Sequence, residues 1–586
     1  MLPIHALVLA ASSLQSSDAR AAPIDARGVS VALARIASEH PTLATVLPVA
    51  ESRGGRKVEA LRLAAGERAP GRPAILVVAN VEGPWSWTTG LALDEARELA
   101  ARYASDAGVK ALLDGTTLYI VPCANPDAAE ARFGTPLREE RAGAAWMDDD
   151  RDGRAGEDGP SDVDGDGKIL TLRKLDPEGE WIADPADARA MVKADRAKGE
   201  RGQWKLWVEG RDSDGDEKVG EDPSADVQVG RNFAHGWREH APEAGPWAMC
   251  EPEARGLADF VLAHRDVQMV VVYGAQDDLQ EKPRTMPDEG GRGALTGVPE
   301  TDAKLYVELG KRYKDLVGAK AKGDGDDHGS FQAWCRFQRG LFTVSIAPWS
   351  LPLDQEAPKS EEQHKDEKPA DERAAGEKAA GEKAAGDKAA GDKSSGEKKA
   401  EKKKDEPSDD AKRLRWIDAK NESARFVAWK AFQHSELGAV EIGGFAPYAS
   451  IEPPESERAK IADDQRAFLA SLGGSLARVH VVDAKAKDLG GVWEVKAALE
   501  DAAWLPLTTV AGRRTGAPRP ARVTLKLPAS AKLVAGEKQT LVRELAGSGG
   551  RKELEWLVLG AAPSSIEIEL DTDNAGAERV SPAITK

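Results

Sequence analysis

Three runs of alternating aspartates mark the segment between residues 148 and 219. They are Asp148, Asp150 and Asp152; Asp162, Asp164 and Asp166; and Asp212, Asp214 and Asp216. Alternate carboxylates followed by a glycine, as at Gly167, supply the oxygen ligands and the sharp turn of calcium loops. Arg173 stands at the twelfth position of the second run, where an EF-hand has glutamate. The pattern predicts a structural calcium ion in a glycine-rich insertion with little core of its own, with solvated acidic turns as the alternative.

The elements around this insertion show strand–helix alternation. Continuous apolar runs cover residues 72–80, 117–122, 267–274 and 341–347, and helical patterns lie between them, near residues 90–105, 251–263 and 303–317. Strands without polar alternation are typical of a sheet buried on both faces. The alternation predicts an α/β fold with a mainly parallel sheet and helices on both faces.

Several segments, in this order, resemble the carboxypeptidase A-like zinc peptidases. They are SRGGRKVEALRL from residue 52, ILVVANVEG from 75, VPCANPDAAE from 121, VGRNF from 229, CEPEARGLADF from 250, HGSFQAW from 328 and LFTVSIAPWSLP from 341. The resemblance spans residues 29–446 apart from a low-complexity linker. It implies a mixed, mostly parallel sheet of eight strands, a catalytic zinc ion and proteolysis at the C-terminal ends of peptides.

The residues that hold zinc in this family are replaced in this sequence. Glu82 and Trp85 stand at the two positions of the family's H-x-x-E motif, and Gly274 stands at the third ligand position. Only Glu82 can donate to a metal, because the indole nitrogen of Trp85 offers no lone pair and glycine has no side chain. Ser345 replaces the general base, and a hydroxyl cannot accept the proton of a zinc-bound water near neutral pH.

Other family positions concern substrate binding. Arg231 is retained where the family binds the substrate's terminal carboxylate, beside Gly230 in place of an asparagine. Either Arg138 or Arg141 corresponds to the arginine that polarises the scissile carbonyl. These residues predict a catalytically inactive pseudopeptidase that binds peptide or peptide-like C-terminal ends. An active zinc-dependent carboxypeptidase with non-standard ligands, and a structural or surface interaction module, are the alternatives.

Ligands elsewhere in the sequence would change this interpretation. None of the nine histidines forms an H-x-x-E or H-E-x-x-H motif. His328 is a candidate for a residue near the cleft, with an ordinary surface histidine as the alternative. Asp277 and Asp278 follow Gly274 and could join Glu82 in a hard-cation site, with a solvated acidic loop as the alternative.

Composition divides the chain into domains and connecting segments. Residues 1–22 resemble a signal peptide with Ala19-Arg20-Ala21 as its cleavage motif, although the segment lacks an early basic residue, and a frayed tail is the alternative. Residues 23–352 are predicted as the carboxypeptidase-like domain with the insertion 148–230, and residues 353–412 as a disordered linker of AAGEK and AAGDK repeats. Residues 413–447 return to the domain, 448–475 form a connecting helix, and 476–586 form a β-sandwich.

Charge and cysteine content limit the partners and the location. A net charge of −18 disfavours nucleic-acid partners, which need basic patches. No segment is long and apolar enough to span a bilayer. Cys123, Cys250 and Cys335 are too few for a disulfide framework and are predicted to be buried, with one disulfide as the alternative. The leader predicts export to the periplasm, the medium or the cell surface.

Overall fold

The computed structural model describes residues 20–145, 159–212, 219–220, 227–289, 293–318, 321–323, 326–353, 407–560 and 565–585. Five of the predicted calcium ligands lie outside these residues, namely Asp148, Asp150, Asp152, Asp214 and Asp216. Residues 1–19 of the predicted signal peptide and 354–406 of the predicted linker also lie outside them.

The first domain is built from two stretches of the chain with an insertion between them. The first stretch contains α1 (Ala26–Glu39), β1 (Ala44–Glu51), β2 (Lys57–Leu63), β3 (Ala74–Ala79), α2 (Trp87–Arg102), α3 (Ala107–Gly115), β4 (Thr117–Val121) and α4 (Pro126–Ala129). The insertion contains β5 (Thr171–Leu175), β6 (Trp181–Asp184), β7 (Asp187–Lys193) and β8 (Trp204–Val208). The second stretch contains α5 (Pro252–Ala263), β9 (Val267–Tyr273), β10 (Thr285–Met286), β11 (Val298–Pro299), α6 (Glu300–Val317), α7 (Phe331–Phe337) and β12 (Phe342–Ile346).

The central sheet has the strand order β1-β2-β4-β3-β9-β12. The strands β4, β3, β9 and β12 are parallel, and β1, β2 and β4 pair antiparallel. Alternate residues of β3 enter two separate cores, so that Ile75 and Val77 face one layer of helices and Leu76 and Val78 face the other. The predicted mixed α/β fold is confirmed. Within the described part of the chain this sheet has six strands, not the eight that the resemblance implied.

The acidic insertion shares a small core with the segment that follows the linker. After α8 (Asp409–Lys420), the hairpin β13 (Phe426–His434) and β14 (Gly438–Phe445) joins the insertion strands in the order β13-β14-β5-β8-β6-β7. Leu170, Leu172 and Ile442 are among the residues that fill the core of this second sheet. The segment after the linker therefore completes the insertion and does not add a strand to the central sheet.

The C-terminal region is a two-sheet sandwich that follows α9 (Glu455–Leu472). Its elements are β15 (Val479–Asp488), β16 (Val492–Asp501), α10 (Val510–Thr515), β17 (Ala521–Lys526), β18 (Lys532–Ala535), β19 (Gln539–Val542), β20 (Gly550–Leu559), β21 (Glu567–Asp571), β22 (Ala577–Val580) and β23 (Ala583–Thr585). One sheet has the order β18-β20-β16-β15-β23 and the other β19-β17-β21-β22. Apolar side chains of both sheets, such as Val495 and Val523, share one core.

Residues at the predicted cleavage motif belong to the folded domain. The guanidinium of Arg20 pairs with Asp94 at 2.7 Å and with Asp463 at 3.0 Å, which joins α2 to α9. Ala21 is buried, and the carbonyl of Ala22 packs against Gly90. Cleavage after Ala21 would remove the contacts of Arg20 and Ala21, and the signal peptide with the motif Ala19-Arg20-Ala21 stays a prediction from the sequence.

Two smaller predictions concern the chain as a whole. No helix in the described segments is both long and apolar enough to cross a membrane. Cys123, Cys250 and Cys335 are free and buried, which confirms the prediction that these thiols are core residues.

Candidate functional site

Two of the segments that carried the family resemblance contact each other. One carboxylate oxygen of Asp127 accepts hydrogen bonds from Ser52 Oγ at 2.7 Å and Arg56 Nη1 at 2.9 Å. The other accepts from the backbone N–H of Gly54 at 2.9 Å. This buried carboxylate therefore fastens the loop between β1 and β2 to the start of α4, immediately after β4.

Asn125 fixes the loop that contains Arg141. Its side-chain oxygen accepts from the N–H of Ala128 at 3.2 Å, which caps α4. Its side-chain amide donates to the carbonyl of Arg141 at 3.1 Å. The asparagine of the N-P-D sequence thus ties the end of β4 to residues 140–142.

Glu82 and Gly274, the first and third predicted ligand positions, lie in contact. Glu82 follows β3 and Gly274 follows β9, and these strands are parallel neighbours in the sheet. A Cβ atom built on Gly274 would clash with the Glu82 carboxylate, whose Cδ lies 3.1 Å from that position. The three nearest atoms to that position all belong to the Glu82 side chain. The carboxyl group therefore occupies the space that a side chain at residue 274 would need.

The environment of Glu82 disfavours a charged carboxylate. The residue is 8% exposed, and its Oε2 has no hydrogen-bond partner within the described residues. Burial raises the pKa of Glu82, and the backbone N–H of Ala275 and the charges of Arg141 and Arg231 oppose this shift only in part. A buried carboxyl with a raised pKa carries less negative charge and is a weaker metal ligand than an exposed one.

Trp85 and Arg141 complete this part of the site. The guanidinium of Arg141 lies over the Trp85 ring, 5.2 Å from its centroid. The loop between them is tight, because Gly83 has a φ of +88° and a side chain there would meet the carbonyl oxygen of Glu140. Of the two predicted arginines, Arg141 lies beside the ligand positions. Arg138 instead lies 3.7 Å from Glu140, and its carbonyl accepts the hydroxyl of Tyr448.

Ser345, at the general-base position, lies in β12 next to β9. It is 1% exposed, and its Oγ has no partner among the described atoms. Its backbone N–H donates to the Asp278 carboxylate at 2.8 Å, and the same carboxylate pairs with the buried Arg336. The neighbouring Asp277 accepts from the N–H groups of Leu279 and Ala347, and burial raises its pKa to about 6.

These contacts give Asp277 and Asp278 a structural role in the loop after β9. A cation site shared with Glu82 was one of the alternatives from the sequence. Within the described ranges, Asp277, Asp278 and Glu82 do not bring three ligand atoms together, whereas Asp162, Asp164 and Asp166 do.

Arg231 is held by the loop that precedes α7. Its Nη1 donates to the carbonyl oxygens of Asp326 at 2.9 Å and His328 at 3.3 Å, and lies 3.5 Å from the Asp326 carboxylate. Gly329 has a φ of +62° and approaches the Arg231 backbone too closely for a side chain. Arg231 therefore lies between Gly230, which contacts Glu82, and the 326–329 loop.

A cleft of about 410 Å³ opens beside Ser345. Its lining residues include His235, Lys282, Arg284, Val298, His328 and Ser345. His328 lines this cleft, and its Nδ1 is 2.6 Å from the Asp326 carboxylate. Burial lowers the pKa of His235.

The cleft residues Lys282 and Arg284 were not identified from the sequence, because they belong to no recognisable motif. The only available signal was their position in a loop after a buried strand, where ligands bind in open α/β sheets.

Zinc does not fit the residues at the family's ligand positions. Glu82 is the single donor of the three, and it is buried next to a glycine, with no partner for its Oε2 among the described residues. A catalytic zinc site needs about three protein ligands and an open position for water. We therefore derive no reaction step through zinc at this place.

The second aspartate run forms a compact loop before β5. Ligand oxygens of Asp162, Asp164 and Asp166 lie within 4.8 Å of one another. The Asp162 carboxylate accepts from the N–H groups of Gly165 at 2.7 Å and Gly167 at 2.8 Å. Asp212, the described member of the third run, is not part of this group. Calcium in this loop stays a prediction from the sequence.

Comparison with known proteins agrees with the sequence resemblance. The family described as zinc carboxypeptidase matches residues 29–158, and a domain of unknown function, DUF8731, matches residues 478–582. Residues 29–158 are therefore similar to the zinc carboxypeptidase family. No curated protein matches the chain.

Carboxypeptidases are among the solved structures that are similar to this chain. Carboxypeptidase A from Helicoverpa armigera is 16% identical, with 60% of this chain and 70% of that chain covered and a TM-score of 0.37. Bovine thrombin-activatable fibrinolysis inhibitor is 11% identical, with 56% and 86% covered and a TM-score of 0.33. A metallo-carboxypeptidase from Burkholderia cenocepacia is 16% identical, with 55% and 60% covered and a TM-score of 0.28.

Proposed function

We propose that this protein binds peptide or peptide-like C-terminal ends without zinc-dependent hydrolysis. The observation that carries this proposal is the contact between Glu82 and Gly274. The carboxyl group of Glu82 fills the space over Gly274, so that the position of the third ligand is closed by a neighbouring side chain. No single substitution at residue 274 could restore a ligand there without moving Glu82.

The general-base position supports the same conclusion. A carboxylate at residue 345 would accept the proton of an attacking water, whereas the Ser345 hydroxyl is not basic enough near neutral pH. The nearest carboxylate contact of Ser345 is Asp278, and that group is already paired with Arg336. Both parts of the family's chemistry, the metal ligands and the base, are therefore replaced.

Binding without cleavage is supported by the cleft and its cations. Lys282 and Arg284 are exposed on the cleft wall, and Arg231 is fixed beside the adjoining loop by Asp326 and His328. Arginine binds carboxylates through paired N–H donors, which suits recognition of a chain end. We propose that Arg231 or the two wall cations receive the terminal carboxylate of the ligand.

Peptide pairs that end in either a free carboxylate or an amide test this proposal. Fluorescence anisotropy with labelled peptide pools should show tighter binding of the free acid, by about tenfold or ~1.4 kcal/mol. Arg231→Ala should reduce this preference. Arg238→Ala is the matched control, because Arg238 also lies near Asp326, at 3.7 Å, but its side chain is 49% exposed, against 15% for Arg231. Equal binding of acid and amide, or binding of neither, would contradict the proposal.

The proposal includes export, which the apolar leader supports. N-terminal sequencing of protein recovered outside the cytoplasm should give a first residue at or before Arg20, because Arg20 pairs with Asp94 and Asp463 in the folded domain. Recovery of the protein only in the cytoplasm would contradict export.

A further inference from the structure

The C-terminal sandwich is attached to the first domain at the end of the sheet opposite the cleft. The side-chain amide of Gln268, at the start of β9, both donates to and accepts from the backbone of Ala477 at 2.9 Å. Gln268 also donates to the carbonyl of Asn574, and the side chain of Asn574 donates to the carbonyl of Val267 at 3.4 Å. These contacts lie at the amino end of β9, whereas Gly274 and the cleft lie past its carboxyl end.

One element of the sandwich region packs behind the cleft itself. The helix α10 packs against α7, α6 and β11 of the first domain. Gly512 of α10 meets the backbone of Gly340 so closely that a side chain on either glycine would clash. The hydroxyl of Thr509 donates to the carbonyl of Gly340 at 3.0 Å and also caps α10.

Asp302 joins α6 to α10 across this interface. It lies in the first turn of α6 and is 4% exposed. One oxygen accepts from the N–H of Val510 at 2.8 Å, and the other from the N–H of Ala511 at 2.9 Å. Both carboxylate oxygens are thus used by the first two residues of α10, and removing them would leave two buried donors unsatisfied.

The elements that α10 contacts contain the cleft wall. Val298 of β11 and Gln332, Arg336 and Phe337 of α7 line the cleft. Arg514, near the end of α10, donates to the carbonyl of Pro287 at 3.3 Å, in the segment after β10. Of the first-domain elements that α10 contacts, β11 and α7 line the cleft. The third, α6, begins directly after β11.

We propose that the sandwich of unknown function acts as a fixed support for this cleft wall, with Asp302 as the residue that positions α10 against it. Its role in the chain is then intramolecular: it holds α7, β11 and the segment around Pro287 in the arrangement that shapes the cleft. The importance of this role for ligands rests on the proposed binding function, whereas the support itself is a property of the fold.

Hydrogen–deuterium exchange of the full chain, followed by mass spectrometry, tests the proposal. Asp302→Ala should raise exchange in residues 282–289, 293–298 and 331–337 by about tenfold, while β15, β16 and β20 keep their protection. Asp302→Asn, which retains one acceptor, should give an intermediate effect. The matched control is Asp501→Ala: Asp501 is equally buried and accepts from Arg478 and Ala503, but within the sandwich region. Asp501→Ala should raise exchange in the sandwich more than in the cleft wall.

Two outcomes would overturn the proposal. One is unchanged exchange of the wall segments in Asp302→Ala, and the other is a joint loss of protection in both wall and sandwich in Asp302→Ala. If Asp302→Ala does not fold, Arg514→Ala removes the contact to Pro287 from a half-buried position and should raise exchange in residues 282–289 alone. The assay contains no peptide, so its result does not depend on whether the cleft binds C-terminal ends.

Discussion

The carboxyl group of Glu82 and the missing side chain of Gly274 are complementary. A glycine at the end of a buried strand leaves a gap, and the Glu82 carboxyl group from the neighbouring strand end fills it. Interiors are closely packed, so a change at one of these positions affects the other. The pair accounts for the position of the Glu82 carboxyl group by its packing.

Gly274→Ala should lower the free energy of unfolding by about 1–3 kcal/mol, because the new methyl group would overlap the Glu82 carboxylate. In a Glu82→Ala background the same change should cost much less, with a coupling energy of about 1–2 kcal/mol. Urea unfolding of the wild type, both single variants and the double variant measures this coupling. Equal costs in the two backgrounds would show that Glu82 does not occupy this space.

A second buried carboxyl, Glu95 of α2, predicts a pH dependence. Its Oε1 accepts from Tyr273 at 2.8 Å, its Oε2 has no partner in the described structure, and burial raises its pKa from 4.5 to about 8. Between these two pH values the folded chain binds more protons than the unfolded chain. The free energy of unfolding should therefore fall as the pH rises, by up to about 1.4 kcal/mol per pH unit from this group.

Glu95→Gln keeps an acceptor for Tyr273 and removes the charge, so it should flatten this fall between pH 5 and pH 8. Glu98→Gln, on the same helix and paired with Arg102, should leave the pH dependence as in the wild type. Urea unfolding at several pH values measures both variants. A pH dependence that is identical in Glu95→Gln and the wild type would exclude Glu95 as its source.

Single residues of the site were predictable where the family motif fixes the spacing. Glu82 and Gly274 follow strands whose apolar runs are unmistakable, so their proximity follows from parallel pairing. The sequence did not decide whether Arg138 or Arg141 lies beside the ligand positions. This depends on the hydrogen bond by which Asn125 holds the loop at Arg141. The closure of the space over Gly274 also could not be predicted, since it depends on the rotamer of Glu82.

At the scale of elements, the insertion shows how distant segments share one sheet. The strand β5 pairs with β14 on one side and with β8 on the other, and Leu172 packs with Ile442 across the first of these pairs. Glu209, after β8, accepts from the N–H groups of Val163 and Leu170. It thereby joins the Asp162–Asp166 loop to the sheet.

The sequence pattern predicts that calcium stabilises this loop, because three carboxylates close together repel one another unless a cation balances them. Calcium should then raise the melting temperature of the chelator-treated protein, and Asp162→Asn should abolish most of the rise. Asp176→Asn is the control, because Asp176 belongs to the same insertion but pairs with Lys205. An unchanged melting temperature on calcium addition would contradict the prediction.

The four parallel strands of the central sheet and the helices α2, α5 and α6 were predictable from their apolar patterns, and α9 lies within the predicted connecting segment 448–475. The insertion sheet was not predictable. Its partner strands are separated by the linker, and its short strands, such as Trp204–Val208, mix charged and aromatic residues without a clear alternation. Pairing between distant strands leaves no local signal in the sequence.

At the scale of the whole molecule, the two ends of the sheet have different roles. Gln268 and Asn574 join the sandwich to the amino end of β9, whereas Glu82, Gly274 and Ser345 lie at the carboxyl ends of β3, β9 and β12. Binding sites in open α/β sheets lie at carboxyl ends. The domain arrangement therefore leaves the cleft open and supports it from behind through α10.

The zinc content of the purified full chain tests the central claim most directly. After dialysis against zinc and then against buffer, mass spectrometry of the metal should find far less than one zinc ion per chain, and peptides incubated with the protein should keep their C-terminal residues. The reason is that only Glu82, of the three ligand positions, can donate to zinc. One zinc ion per chain, lost in Glu82→Ala and accompanied by shortened peptides, would contradict this account.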